Sequence, residues 1–304
     1  MPDDKRYMKS QLEDDFDLEQ FKKQFFEPQR KKSRLKKVKI VNMLSIAIVC
    51  LLVIVAYFSY KLVGYYADIK NSAELSERAL EIINVSETAH DKSNEQQGLE
   101  ESSQSDVLIA SELIELPLKE EILELREQFE NDDIVGYLSI ENTKINYVVV
   151  QAADNEFYLN HDLFGKESVA GSIFIDADNV MYPFDYNYNS VIYGHNMRDG
   201  SFFHDLRFYQ NYDYYSERNF VNLTTPYEDT VWEIFSFYST DTNFNYIKTH
   251  FRDDDDFWEL AQQMKQKSIY DTGVAIYRDD KILTLSTCTN VNDERFVLHA
   301  RLIS

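Results

Sequence analysis

The chain has 304 residues, room for one or two domains, and a hydrophobic fraction of 44% that supports a packed core. The formal charge is −22, yet residues 1–39 are net +4, so the remainder carries −26. A body that acidic repels a phosphate backbone, which sets nucleic acid aside as a partner.

Residues 1–29 mix acids, bases and aromatics with weak helical periodicity, and residues 1–39 read as a cytoplasmic tail. Residues 40–60, "IVNMLSIAIVCLLVIVAYFSY", hold 21 residues without a charge, enough at helical rise to span a bilayer core. Just before them, "RKKSRLKKVK" carries seven basic residues, whereas the 15 residues after them hold only two lysines and two acids. The positive-inside rule then predicts a single-pass protein of the cell membrane, with its N-terminus cytoplasmic and everything after residue 60 outside. Membrane lipid is expected to contact residues 40–60. A cleaved signal peptide fits less well, because the basic region is long and no small-x-small cleavage site follows the apolar run. Residues 67–105 are polar and rich in Ser, Glu, Gln and Asn, so residues 61–105 read as a partly helical, partly disordered stalk or linker. A folded domain is expected over 106–304.

Within that domain, "LKEEILELREQF" places Leu118, Ile122, Leu125 and Phe129 on one face of an amphipathic helix. Residues 133–151 alternate around a polar turn and predict a β-hairpin. Further strand signals lie at 171–176, 190–195, 220–224, 230–239, 273–277, 281–287 and 295–303. Their number and spacing predict an all-β barrel or sandwich. A helix interrupts them at 253–267, with Phe257, Leu260, Ala261 and Met264 on one stripe and four aspartates leading. Those acids lack a loop glycine and alternating ligand spacing, so they predict no calcium site, and no other metal-ligand cluster is evident.

The chemistry centres on one thiol. Cys50 lies in the apolar run, so Cys288 has no partner in the outer domain. An unpaired thiol outside the cytoplasm is a reactive group, an intermolecular bridge or a small buried hydrophobe. In "KILTLSTC", Ile282, Thr284, Ser286 and Cys288 share one strand face and Leu283, Leu285 and Thr287 the other. Cys288 therefore sits at a strand end that opens into a loop, a rigid and accessible mounting for a nucleophile. A reactive thiol needs a histidine or a cation to favour thiolate. His195 ends the strand signal "VIYGH" and shares that strand-end placement; His161 in "NHDLFG" is a rival in a turn-like setting, and spacing leaves the choice open. In "ERFVLHARLI", Arg295 and Arg301 lie on one face. Arg295, at the start of a strand returning from the cysteine loop, is the candidate oxyanion donor, and Arg301 is expected to be a surface ion pair.

The N-terminal anchor, "YGHNM", "TLSTC" and "ERFVLHARL", in this order, resemble the sortases of Gram-positive bacteria, class B above all, over roughly 106–304. The leading helix and the inserted helix at 253–267 fit class B, while the loop 289–294 is short for it. The resemblance implies a mainly β domain, a closed sortase-type barrel with an N-terminal helix and the inserted helix, preceded by one transmembrane helix. It implies a cysteine transpeptidase with Cys288, His195 and Arg295 as catalytic residues and no cofactor. Ser286 and Thr287 are expected to shape the binding pocket for the signal peptide. The implied partners are secreted proteins bearing a sorting signal, and a peptidoglycan precursor amine or a pilin lysine. Two other readings compete. One is another extracytoplasmic cysteine peptidase or peptidoglycan-modifying enzyme, although these usually place Cys and His close together or in Cys-first order. The other is a membrane-tethered binding protein with an inert cysteine.

Overall fold

A computed structural model describes residues 19, 22–23, 27–94, 117–181, 184–288 and 294–304. The chain divides into two units, Met1–Gly64 and Tyr65–Ser304. A long helix, α1 (Glu27–Asn94), runs through the boundary. Among the described residues it is the one helix long and apolar enough to cross a membrane: its candidate span is Ser45–Ile83, with a mean hydropathy of 2.4 in a window none of whose residues is buried. In the first unit Ile46, Leu51, Val55, Phe58 and Leu62 are all exposed. An apolar stripe on every face suits lipid rather than a protein core.

The second unit is a closed barrel of eight strands in the order β1-β2-β3-β4-β7-β8-β6-β5. The strands are β1 (Ile134–Ser139), β2 (Asn146–Val150), β3 (Ile173–Ile175), β4 (Asn189–His195), β5 (Phe220–Thr224), β6 (Asp229–Thr240), β7 (Ile282–Cys288) and β8 (Arg295–Leu302). The predicted hairpin forms as β1 and β2, and β1 also pairs with β5 to close the barrel, so the sheet has no free edge. Two pairings are parallel, β2 with β3 and β4 with β7. Alternation sorts the side chains. Leu138, Val149, Ile192, Leu223, Phe237, Leu283, Leu285 and Leu298 fill the interior.

The outer face is covered in two places. Helix α2 (Glu120–Phe129) buries Ile122, Leu125 and Phe129 against Ile134, Val148, Val150 and Val191. Leu75 and Ala79 of α1 join the same cluster, and the Ser76 hydroxyl donates to the Asn146 carbonyl at 2.8 Å. This part of the segment read as a stalk therefore packs on the barrel. A short helix α3 (Tyr212–Ser216) follows the 3-10 turns of Phe203–Gln210. Helix α4 (Asp254–Lys267) seats Phe257, Ala261 and Met264 over Phe235, Tyr238, Ile282 and Val297. Its leading acids have structural roles: Asp253 accepts from the Asp256 amide, and the Lys248 ammonium beside Asp256 holds that carboxyl well below the usual range. With both faces covered, β4 and β7 are buried from Asn189 to Gly194 and from Ile282 to Thr287.

One predicted strand is absent. Residues 273–277 join no strand ladder; Val274 and Ile276 sink into the α4 cluster, and the Lys265 ammonium donates to the Val274 carbonyl. The alternation there records burial under a helix, not a ladder. One region was not predicted. Phe203, Leu206 and Tyr209 recur every third residue and all are buried, the period of a 3-10 helix rather than of an α-helix or a strand.

Candidate active site

The strand registers converge on one row. In the parallel pair, β4 and β7 run in step from Asn189 opposite Ile282 to His195 opposite Cys288. In the antiparallel pair, β7 and β8 match from Ile282 opposite Arg301 to Ser286 opposite Val297. Beyond that point the Thr287 hydroxyl takes over from the backbone ladder. It accepts from the Phe296 amide at 2.9 Å and donates to the Phe296 carbonyl at 3.4 Å. His195 and Cys288 are thus direct partners, and Arg295 begins the next strand over, so the three strand ends make one row. With about 4.8 Å between neighbouring strands, β4 and β8 flank the end of β7 from opposite sides.

The row needs Gly194. A Cβ at this position would collide with Ile173 and Phe203, so the residue before His195 lies too close to the core to carry a side chain.

A cleft of about 530 Å³ opens beside the row, lined by both His195 and Arg295. Leu159, Phe174 and Tyr193 form one side of it. Phe244, Tyr246 and Ile247, from the connection between β6 and α4, form the other. His195 Nε2 lies 2.8 Å from the Leu159 carbonyl. Because a carbonyl only accepts, this nitrogen carries the proton, and the bond fixes the ring's orientation. Asp176 organises the same side: one of its carboxylate oxygens accepts from the Tyr193 hydroxyl at 2.7 Å and from the Asn155 amide at 3.0 Å.

The other histidines have different surroundings. His161 stacks on Phe157 and bonds its carbonyl within a tight turn. His299 is fully buried between Tyr238 and Thr284, and burial pushes its pKa down to about 3. Arg301 forks onto Glu233 at 2.7 and 3.1 Å, the ion pair expected of it.

The family model described as the sortase domain matches residues 138–303. The chain belongs to the sortase family. Sortase B of Listeria monocytogenes is 39% identical over 177 residues, which cover 57% of this chain and 71% of that protein. Sortase B of Staphylococcus aureus is 34% identical over 187 residues, covering 59% and 76%. Among solved structures, sortase B from B. anthracis in complex with AAEK1 aligns with a TM-score of 0.61 at 30% identity, covering 80% of this chain and 99% of that one. The Staphylococcus aureus sortase B-substrate complex aligns with a TM-score of 0.58 at 32% identity, covering 62% and 86%. Together these make the chain a class B sortase, a member of a transpeptidase family that acts on sorting-signal substrates.

Ser286 and Thr287 of this sortase are fully buried. Ser286 shares a 2.9 Å hydrogen bond with the Tyr246 hydroxyl, and Thr287 is spent on Phe296. Both bear on the cleft through what they hold in place: Tyr246 on one side and the start of β8 on the other. Sequence reasoning missed the cleft walls. Tyr193 was within its reach, since it stands two residues before His195 on the same strand face. Leu159 and Ile247 carried no such signal, because only the fold brings their segments to the row.

Proposed function

We propose that the chain is a membrane-anchored cysteine transpeptidase whose centre is the row His195, Cys288 and Arg295. The Cys288 thiolate attacks the carbonyl carbon of the scissile bond in a C-terminal sorting signal, forming a C–S bond. Arg295 donates hydrogen bonds to the tetrahedral oxyanion. As the C–N bond breaks, His195 in its imidazolium form gives its proton to the leaving amine, and a thioester remains. An acceptor amine, from a peptidoglycan precursor or a pilin lysine, then attacks the thioester. His195 takes up that amine's proton, the amide forms and the thiolate leaves. The peptide lies in the cleft between Tyr193 and Tyr246. Residues 1–39 remain in the cytoplasm, 40–60 cross the membrane, 61–105 connect, and 106–304 do the chemistry outside the cell.

What supports this reading is the pairing of His195 with Cys288, the start of the neighbouring strand at Arg295, and a cleft lined by His195 and Arg295. The test uses the full-length protein in detergent, a set of sorting-signal peptides and mass spectrometry. The wild type should show a mass increase equal to the acyl fragment, and Cys288→Ala should show neither adduct nor product. His195→Ala should lose nearly all turnover. Product formed by Cys288→Ala would sink the proposal.

A further inference from the structure

The wall of the cleft made by Phe244, Tyr246 and Ile247 belongs to a connection, residues 241–253, that contains no strand or helix. Irregular backbone of that kind has no ladder to hold it against the barrel. The structure gives it a different support. Asn189, the first residue of β4, is fully buried, and its amide nitrogen donates to the carbonyls of Tyr246 and Lys248, both at 3.0 Å. Its amide oxygen accepts from the Thr284 hydroxyl at 2.6 Å. Since Thr284 donates there, it accepts from His299 Nδ1 at 2.8 Å, and His299 Nε2 accepts from the Tyr238 hydroxyl at 2.7 Å. Both N–H groups of Asn189 are thus committed to the wall, and its oxygen to a buried chain through β7, β8 and β6. Other contacts touch this connection, among them Tyr246 with Ser286 and His299 and Lys248 with Asp256, and these run through its own side chains. Asn189 grips the wall's backbone.

We propose that Asn189 is a positioning residue that sets the wall of the cleft at a fixed distance from the His195–Cys288–Arg295 row. The proposal rests on the cleft being the peptide site. Only an amide fits the task. An aspartate would turn a negative oxygen toward two carbonyls, and a residue without N–H groups would leave both carbonyls buried and unpaired. The wall would then move away, and peptide capture would weaken while the attacking strand stayed in place.

The test compares full-length wild type, Asn189→Ala and Thr284→Val. Thr284→Val cuts the chain to His299 but leaves both wall bonds intact. Amide hydrogen exchange across 242–250 should rise about tenfold in Asn189→Ala, with β4 and β7 unchanged. KM for a sorting-signal peptide should rise about tenfold, with kcat changed less than about threefold. Thr284→Val should lower the melting temperature without changing KM. If Asn189→Ala does not fold, Asn189→Ser, which keeps one donor, should give an intermediate rise in exchange and KM. The proposal is overturned if exchange over 242–250 stays at the wild-type level. It is equally overturned if KM is unchanged while the wild type is active, or if Thr284→Val raises KM as much as Asn189→Ala. A wild type that processes no sorting peptide would count against the cleft as a peptide site, and the exchange measurement would still decide whether Asn189 holds the wall.

Discussion

Arg295 and Arg301 stand on the same face of β8, six residues apart, and their surroundings give them different work. Arg301 is spent on Glu233, and both side chains of that pair are about a quarter exposed (25% and 24%). Such a pair contributes about 0–1 kcal/mol. Arg295 lines the cleft from the start of β8. Arg295→Ala should therefore lower kcat/KM for a sorting peptide by about 10²–10³, the usual cost of one preorganised oxyanion donor, with little change in melting temperature. Lysine should rescue poorly, because a point charge cannot reproduce the guanidinium fork. Arg301→Ala should leave turnover near wild type, and the reverse pattern would mean the assignments are exchanged. His299 makes a different prediction. Buried and held neutral, its pKa lies near 3, against about 6.5 in an unfolded chain. Between those values the unfolded state binds the extra proton, so stability falls as pH drops from about 6.5 toward 3. The ring faces Tyr238, Tyr246, Phe235 and Thr284. Denaturant melts at pH 7 and pH 4.5 should show a smaller acid-induced loss for His299→Gln than for wild type. Equal losses would place the acid sensitivity elsewhere.

At the scale of elements, α1 takes part in the folded unit. Leu75 and Ala79 lie in the same apolar cluster as α2 and strands β1 to β4. Leu75→Ala should cost about 2–5 kcal/mol of helix docking. Limited proteolysis checks this: cleavage within 65–83 should speed up markedly while the barrel fragment persists. Most elements were legible in the sequence. Strands β1 to β8, the helix over Leu118–Phe129 and the one led by Asp253 follow apolar periodicities that local chemistry dictates. The exceptions share a cause. Val274 and Ile276 alternate like a strand because a helix, not a neighbouring strand, absorbs one face. Phe203, Leu206 and Tyr209 follow a period of three that neither common template detects. The packing of Leu75 was hidden because a polar segment needs only a few apolar residues to dock. The candidate site was legible as three strand-end residues. The cleft beside them was not, since its walls come from 155–159 and 244–247 and meet only through tertiary structure.

For the whole molecule, charge and hydropathy are divided along the chain: a basic start, an apolar helix and a strongly acidic remainder. If the orientation follows the positive-inside rule, protease added to intact cells should cut after residue 64 and spare residues 1–39. Protection of the barrel with cleavage of the tail would reverse the topology. The parallel pairing of β4 with β7 carries a further consequence. His195 and Cys288 are about ninety residues apart in the chain, yet they are direct partners in the sheet. Hairpins such as β1–β2 and β5–β6 can form from neighbouring residues, but this pairing must close a long loop and pays its entropy late in folding. On the topology and roles proposed above, a chain newly delivered across the membrane would thus carry a thiol, an imidazole and a guanidinium that have not yet met. Its proposed nucleophile, Cys288, would stay as sluggish as an ordinary cysteine until the barrel is complete, so unfinished copies would not capture sorting signals and hold them as dead-end adducts.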